Sequence, residues 1–513
     1  MKQSEDIVKL IKSLSKSEKR YFKVFVKNNK GKNKYYIELF NLIDQQGTSL
    51  KKVIKDKVNT KNFEERSFKL HKYRLYNLIL KSLNAYHADN SNEDKILELI
   101  RQTKRLFDKN LYSQATKTLE KAKSIAAKYE KFPLLLELNQ WEKKIIMASS
   151  IYEETNAGDI KHLAEEERLT TQKVDNANEY WELYALMYID YRISGGARMQ
   201  ENGNIKIINK PILKDDKYAL SYSSKRNYYA INILYYDLAN DLQKAYEYAK
   251  NQIVYIESKP DQIEENPITY TMAVYNLLTI SQYLKKYEEF FKNISKLKSL
   301  LKKFPHPLSF LIRFFNMELM ANIEIGHFRN AIALVPEIEA LLNKEKDKSN
   351  LLLEFFILNK ATLYFGIKDY QKALFNLNEI LNKEKIYLSQ EHYSFVRMFQ
   401  VIIHFEKGNL ELLPYLLKSL YRYLLQRKNL FKIESLLIKF FKTEFKTIIN
   451  KRNQIIAFKI LREELLKICS DAREARFLES FDVISWLESK IENKSFEEVL
   501  RKKSRYTLDE KHE

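Results

Sequence analysis

The sequence predicts an all-α protein, an α-solenoid of stacked helix pairs preceded by a small N-terminal helical domain. Three observations carry that prediction. The first is punctuation: 513 residues contain only 9 glycines and 8 prolines, far below the roughly 12% that the pair usually contributes. Hairpins, glycine-rich phosphate loops and crossover turns need residues at positive φ, and few are on offer. The second is an apolar period of three and four residues over long segments, the mark of helices with one buried face. The third is an internal repeat of 40 to 45 residues. With 45% apolar and 13% aromatic residues the chain can bury a large core, so wholesale disorder is excluded.

Residues 1–90 do not follow the repeat and read as a compact basic head. Ser15 and Glu18 form a capping-box pattern that opens a helix through Tyr21, Phe22, Phe25 and Val26. Gly31 and Gly47 bracket a second helix through Tyr35, Tyr36, Leu39 and Ile43. A short helix near Val53–Val58 and a long one from about Phe63 to Tyr86 follow, ending at the polar linker Asp89–Asn92.

The repeats occupy residues 91–500. Gly326, Gly366 and Gly408 each precede an amphipathic segment: FRNAIALV from Phe328, YQKALFNL from Tyr370 and LELLPYLL from Leu410. Earlier units lack the glycine but keep the segment, so that Ala245, Phe290, Ala331, Ala373 and Leu413 recur at spacings of 45, 41, 42 and 40. A further unit starts at Tyr112, in YSQATKTLEKA, with Ala115 lying 130 residues before Ala245, and Gly158 falls where an intervening turn is expected. Each unit reads as an apolar-aromatic helix, such as Leu351–Phe365, a turn, and a second amphipathic helix. One such pair cannot cover its own apolar face, and stacking buries it. Residues 194–214 hold three glycines and read as an inserted loop, and residues 501–513 as a flexible tail.

Asn359–Leu381, with Ala361, Tyr364, Tyr370, Ala373 and Leu377 at its packing positions, resembles a tetratricopeptide repeat. The period here is longer than that family's 34 residues, so the chain is tetratricopeptide-like. The stretches LSKSEKRYFK, YNLILKSLNAY, KRNYYAINILYYDL and FDVISWLESKIENKSFEEVLR resemble a group of Bacteroidota proteins with the same layout, which brings no activity with it. The tetratricopeptide resemblance implies a right-handed solenoid with a groove lined by one face of each first helix. Its positions fall here on Asn227, Asp237, Tyr275, Gln282, Arg313 and Asn316. That family's Lys and Asn clamp for two carboxylates is not recovered.

The net charge is +21, and it is regional. Residues 1–90 carry 21 basic and 9 acidic side chains, and residues 418–459 carry 11 and 2. On a helix predicted over Leu430–Asn450, Lys432, Lys439, Lys442 and Lys446 fall on one stripe. Such a stripe meets phosphates, acidic protein or anionic lipid, or simply keeps an apolar helix soluble. In the head, lysines interleave with aromatics, a mixture suited to nucleic-acid contact as well as to a core.

No phosphate-loop, dinucleotide, HExxH or GxSxG string occurs, the eight histidines show no i, i+4 pair, and the one cysteine, Cys469, supplies no structural zinc site. No cofactor or metal is expected. Glu434 and Glu444 lie ten residues apart on one helix, about 15 Å, too far to act as an acid and base pair. Tyr180, Trp181, Tyr184, Tyr188 and Tyr191 form an aromatic helix face that suits a core more than a ligand box. The first 22 residues carry charges throughout, and the longest charge-free stretch, Asn266–Leu284, is too polar for hydrocarbon. These readings lead to a non-enzymatic cytoplasmic scaffold that holds a protein or peptide in the groove. The alternative is a nucleic-acid-associated regulator contacting DNA or RNA through residues 1–90.

Overall fold

A computed structural model describes residues 3–28, 33–46, 65–87, 91–149, 157–193, 208–344, 351–383, 386–427, 430–444 and 451–504. Among them are 24 α-helices and no strand. Gly31, Gly47, the helix near Val53–Val58, residues 89 and 90 of the linker, residues 194–207 of the inserted loop, Lys446 and residues 505–513 of the tail lie outside the described residues. The chain divides into two compact units, Met1–Val174 and Asp175–Glu513.

The first unit contains α1 (Gln3–Ser13), α2 (Lys16–Asn28), α3 (Asn33–Gln46), α4 (Glu65–His87), α5 (Asn92–Asp108), α6 (Tyr112–Lys128), α7 (Phe132–Ser149) and the start of α8 (Ala157–Ile193). The capping box forms: Ser15 N donates to Glu18 Oε2 at 2.7 Å and Glu18 N to Ser15 Oγ at 3.2 Å. Glu18 also meets His87 Nε2 at 2.8 Å, joining α2 to α4. That contact holds the Glu18 carboxyl below its ordinary range. Ile7, Phe22, Phe40 and Ile79 centre one core, while Ile96, Leu119 and Leu138 centre another. Gly158 is not an interhelical turn. It lies in the first turn of α8, which runs unbroken for 37 residues, and the repeat pattern has no counterpart there.

The second unit stacks helix pairs: α9 (Tyr222–Leu238) with α10 (Leu242–Glu257), α12 (Pro267–Tyr283) with α13 (Tyr287–Lys303), α14 (Leu308–Glu324) with α15 (Phe328–Lys344), α16 (Leu351–Gly366) with α17 (Tyr370–Leu381), and α18 (Gln390–Glu406) with α19 (Leu413–Gln426). The short α11 (Pro260–Glu265) bridges the first two pairs. Ala245, Phe290, Ala331, Ala373 and Leu413 are all buried between helices.

The turns within these pairs explain how a glycine-poor chain repeats so regularly. Asn240, Lys285, Gly326, Lys368 and Gly408 all have positive φ, between 56° and 79°, and recur at the same spacings of 45, 41, 42 and 40. Each closes its first helix with a Schellman pair: Lys285 N donates to Gln282 O and Lys286 N to Ser281 O, both at 2.8 Å, and the other turns repeat the pattern. Asparagine and lysine thus take the left-handed position where glycine is missing. Gly366, expected to mark such a turn, sits two residues early and does something else. A Cβ there would lie 2.5 Å from the Phe328 ring.

After α20 (Lys432–Lys439) and α21 (Lys451–Ile468), the chain returns along the turns of the pairs through α22 (Ala472–Ala475), a 3₁₀ turn at Arg476–Glu479, α23 (Val483–Glu492) and α24 (Phe496–Ser504). Arg476 reaches Asp237 and Asn240 at the first turn, Lys285 at the second lies 3.9 Å from Asp482, and Arg501 Nε donates to Gly326 O at 2.9 Å at the third. Glu406, ending α18, accepts from Trp486 Nε1 at 2.7 Å and from Lys490 Nζ at 2.5 Å. Phe481 packs on Phe399 and Phe365, with ring centroids 4.9 and 5.3 Å apart. Residues 501–504 therefore continue a docked helix.

Candidate functional site

A cleft of about 930 Å³ opens in the second unit. Its walls come mainly from the first helix of each pair, α9, α12, α14 and α16, with His392 of α18, Tyr184, Tyr188 and Tyr191 of α8, Gln252 of α10, and Glu479 and Ser480 of the returning segment. First helices supply them because the small and apolar residues of each second helix, such as Ala245 and Ala373, are turned into the stack. Asn227, Asp237, Tyr275, Gln282, Arg313 and Asn316 all line this one cleft.

The six residues are not equally available. Asn227, Asp237 and Gln282 are buried, Tyr275 and Asn316 half-buried, and Arg313 exposed. Gln282 Nε2 donates to Glu324 Oε2 at 3.1 Å, and Asn316 Oδ1 accepts from Asn359 Nδ2 at 3.0 Å, each a bond between successive first helices. Asp237 is engaged more deeply. Its Oδ1 lies 2.5 Å from Arg476 Nη2 and its Oδ2 accepts from Tyr191 OH at 2.8 Å, while Arg476 also reaches the Asp237 carbonyl and meets Glu479.

Sequence reasoning passed over Arg226, the residue next to the chosen Asn227. Its guanidinium reaches only neutral oxygens, Asn227 Oδ1 at 3.0 Å and Thr269 Oγ1 at 3.5 Å. Among the described residues neither Arg226 nor Arg313 has a carboxylate within 4.0 Å. Burial pulls the Arg226 guanidinium below its ordinary value. His392, bonded to Ser389 Oγ at 2.7 Å, is pushed down to about 4 by burial and is neutral near pH 7. At the other end, burial lifts the Glu324 carboxyl to about 7 despite its bond from Gln282. The charge asymmetry had one available signal, the KR pair that opens KRNYYAINILYYDL, but only the fold shows which of its two cations lacks a counter-ion: Lys225 pairs with Asp216 at 3.0 Å.

The aromatic face on α8 divides. Tyr180 is fully buried and donates to Ile212 O at 2.6 Å, Trp181 is exposed, and Tyr184, Tyr188 and Tyr191 line the cleft. In the head the aromatics of the two predicted helices are packed: Phe22 is fully buried against Phe40, Tyr21 packs on Tyr86, and Tyr35 and Tyr36 pack around His71, while Tyr73 is exposed.

Lys432, Lys439 and Lys442 are exposed. They do not share one α-helix: α20 ends at Lys439, and Phe440–Glu444 form a π turn, so Lys442 follows at a wider winding than the stripe assumes. Glu434 is buried on this segment, and Glu474 caps α20 by accepting from Lys432 N at 2.9 Å and Ile433 N at 3.2 Å. A separate basic pocket of about 330 Å³ gathers Arg397, Lys418 and Arg422 with Tyr415 and Tyr423. Arg397 lies over the rings of Tyr393 and Tyr423, and Tyr415 is 76% exposed.

Among the described residues no group of three or more His, Cys, Asp or Glu is placed to hold a metal ion, and no helix is long and apolar enough to cross a membrane. Comparison with protein-family models, with curated proteins and with solved structures finds no match to this chain.

Proposed function

We propose that this chain is a non-enzymatic, tetratricopeptide-like scaffold whose right-handed stack of helix pairs holds a peptide or protein segment in the cleft of the second unit. One observation carries the reading. Six positions chosen from the first helices alone line a single cleft of about 930 Å³, walled by four successive first helices. Its lining mixes amide side chains with tyrosine and methionine, groups that pair with peptide backbone and adapt to varied side chains. Pull-down from native lysate with the full chain tests it. The captured set is expected to be lost in an Arg313→Glu, Asn316→Ala double variant, which changes no buried ion pair; an unchanged set argues against the cleft.

Contact with nucleic-acid phosphates is a second reading, favoured by the pocket of Arg397, Lys418 and Arg422 beside exposed Tyr415, three cations next to a face on which a base can stack. Residues 1–90 support it by charge and by Tyr73, which is exposed, while Phe22, Phe25, Tyr35 and Tyr36 are occupied in the core. Retention of the full chain on single-stranded DNA or RNA at low salt, falling steeply as salt rises, is the expected result. No retention at low salt removes this reading.

A further inference from the structure

The cleft is electrically lopsided along the axes of its first helices. Arg226 and Asp237 stand eleven residues apart on α9, and Arg313 and Glu324 eleven apart on α14. At 1.5 Å per residue each interval is about 16 Å. One end of the cleft therefore carries two guanidinium groups, and the other carries carboxyl groups. The carboxyl end is complete: Arg476 neutralises Asp237 and Glu479, and Glu324 accepts from Gln282 and Tyr287.

Among the described residues, the arginine end has no such counter-ion. A guanidinium withdrawn from water costs free energy unless an anion compensates it. Elsewhere in the same unit the chain obeys that rule, since buried Arg476 is given two carboxylates. Arg226 is given an amide and a hydroxyl. Among the described residues, the acids on its own wall of the cleft are about 16 Å away, and Asp237 is held by Arg476.

We propose that the arginine end of this cleft binds a carboxylate carried on an apolar body, the side chain of an acidic residue within an extended peptide. The site uses Arg226 and Arg313 as paired anion receptors, with Tyr275, Met272 and Met317 receiving the flanking apolar groups. A guanidinium fork matches a carboxylate in two parallel hydrogen bonds. A carboxylate fits this lining better than a phosphate dianion, because a double charge costs more to bring out of water into walls of tyrosine, methionine and leucine. At about 3.3 Å per residue, an extended segment of about five residues spans the interval between the two ends. The peptide character rests on the function proposed above; the demand for an anion rests on half-buried Arg226, with exposed Arg313 as its neighbour in the cleft.

The experiment uses the full chain and two arrays of end-blocked hexapeptides, random in their apolar residues, with glutamate or glutamine fixed in the centre. A free aryl carboxylate, 4-phenylbutyrate, forms a third arm. The glutamate array is expected to bind about tenfold more tightly than the glutamine array at low salt, with the advantage lost in both Arg226→Gln and Arg313→Gln. Arg313 is exposed, so its variant remains informative even if the first folds poorly. Equal binding of the two arrays, or an advantage that survives both substitutions, overturns the anion site while leaving a peptide groove standing. Binding of 4-phenylbutyrate alone, with the same arginine dependence, keeps the anion site and removes the peptide. Binding of none of the three overturns both.

Discussion

The two ends of the first helices in the second unit are built from the same elements and finished in opposite ways. At the turn end, the returning segment after α21 lies along the row of turns and satisfies what it finds: Asp237 with Arg476, Gly326 O with Arg501, Glu406 with Trp486 and Lys490. At the starting end, two guanidinium groups face the cleft, and among the described residues neither has a carboxylate within 4.0 Å. A repeat protein has two ways to treat polar groups at its helix ends, to seal them with its own chain or to leave them for another molecule. Here the same helices do both.

Five substitutions test this contrast. Arg476→Met leaves Asp237 buried without its cation and is expected to cost about 3–5 kcal/mol in denaturant unfolding. A loss below about 1 kcal/mol means that the sealed end is not sealed by charge. The next effect is one of pH. Glu324 has an ordinary value of 4.5 and is raised by burial to about 7. Between those values Glu324 holds a proton in the folded protein that it has released in the unfolded chain, so its contribution to stability falls as pH climbs from about 4.5 through about 7. The loss is of the order of 3 kcal/mol. Glu324→Gln is expected to reduce the stability difference between pH 5.5 and 8.5 in unfolding curves, with the raised Glu479 carboxyl supplying what remains, and an unchanged difference contradicts the assignment.

Glycine substitutions separate the sealed turns from the free one. At Gly326 a Cβ would lie 2.7 Å from the Glu497 carbonyl oxygen at φ +74°, while at Gly408, at φ +79°, nothing lies within 4 Å. Gly408→Ala is expected to cost about 1 kcal/mol for the left-handed backbone alone. Gly326→Ala adds a clash with α24 and is expected to cost about 2–3 kcal/mol. Similar melting temperatures for the two variants place α24 elsewhere. The smallest effect has the opposite sign. Arg226→Met removes a poorly compensated charge and is expected to stabilise the ligand-free protein by about 1 kcal/mol. Destabilisation by that amount shows that Asn227 and Thr269 suffice as its partners.

Much of the fold is legible from the residues, because a helical period and a repeat period are both local signals. The series from Ala245 to Leu413 marks the buried face of each second helix, and Leu351–Phe365 is the helix observed as Leu351–Gly366. The turns were legible only where glycine announced them. Lys285 and Lys368 take the same left-handed position, and a lysine carries no mark of it in sequence. The six groove positions follow from repeat geometry and share a cleft. Their partners do not, because Asp237 and Arg476 are 239 residues apart and belong to no common pattern. Arg226 was overlooked for a related reason: what distinguishes it from Lys225 is the presence or absence of a counter-ion, a tertiary property. The stripe from Lys432 fails at Phe440, where two adjacent buried phenylalanines fit the core through a π turn and break the angular count.

The most direct test of the unequal ends is a crystal structure of the full chain bound to the tightest glutamate hexapeptide. The account predicts the peptide carboxylate within hydrogen-bonding distance of the Arg226 and Arg313 guanidinium groups, with the bond between Arg476 and Asp237 intact. A peptide seated against the turn end with Arg476 displaced, or bound outside the cleft, contradicts it.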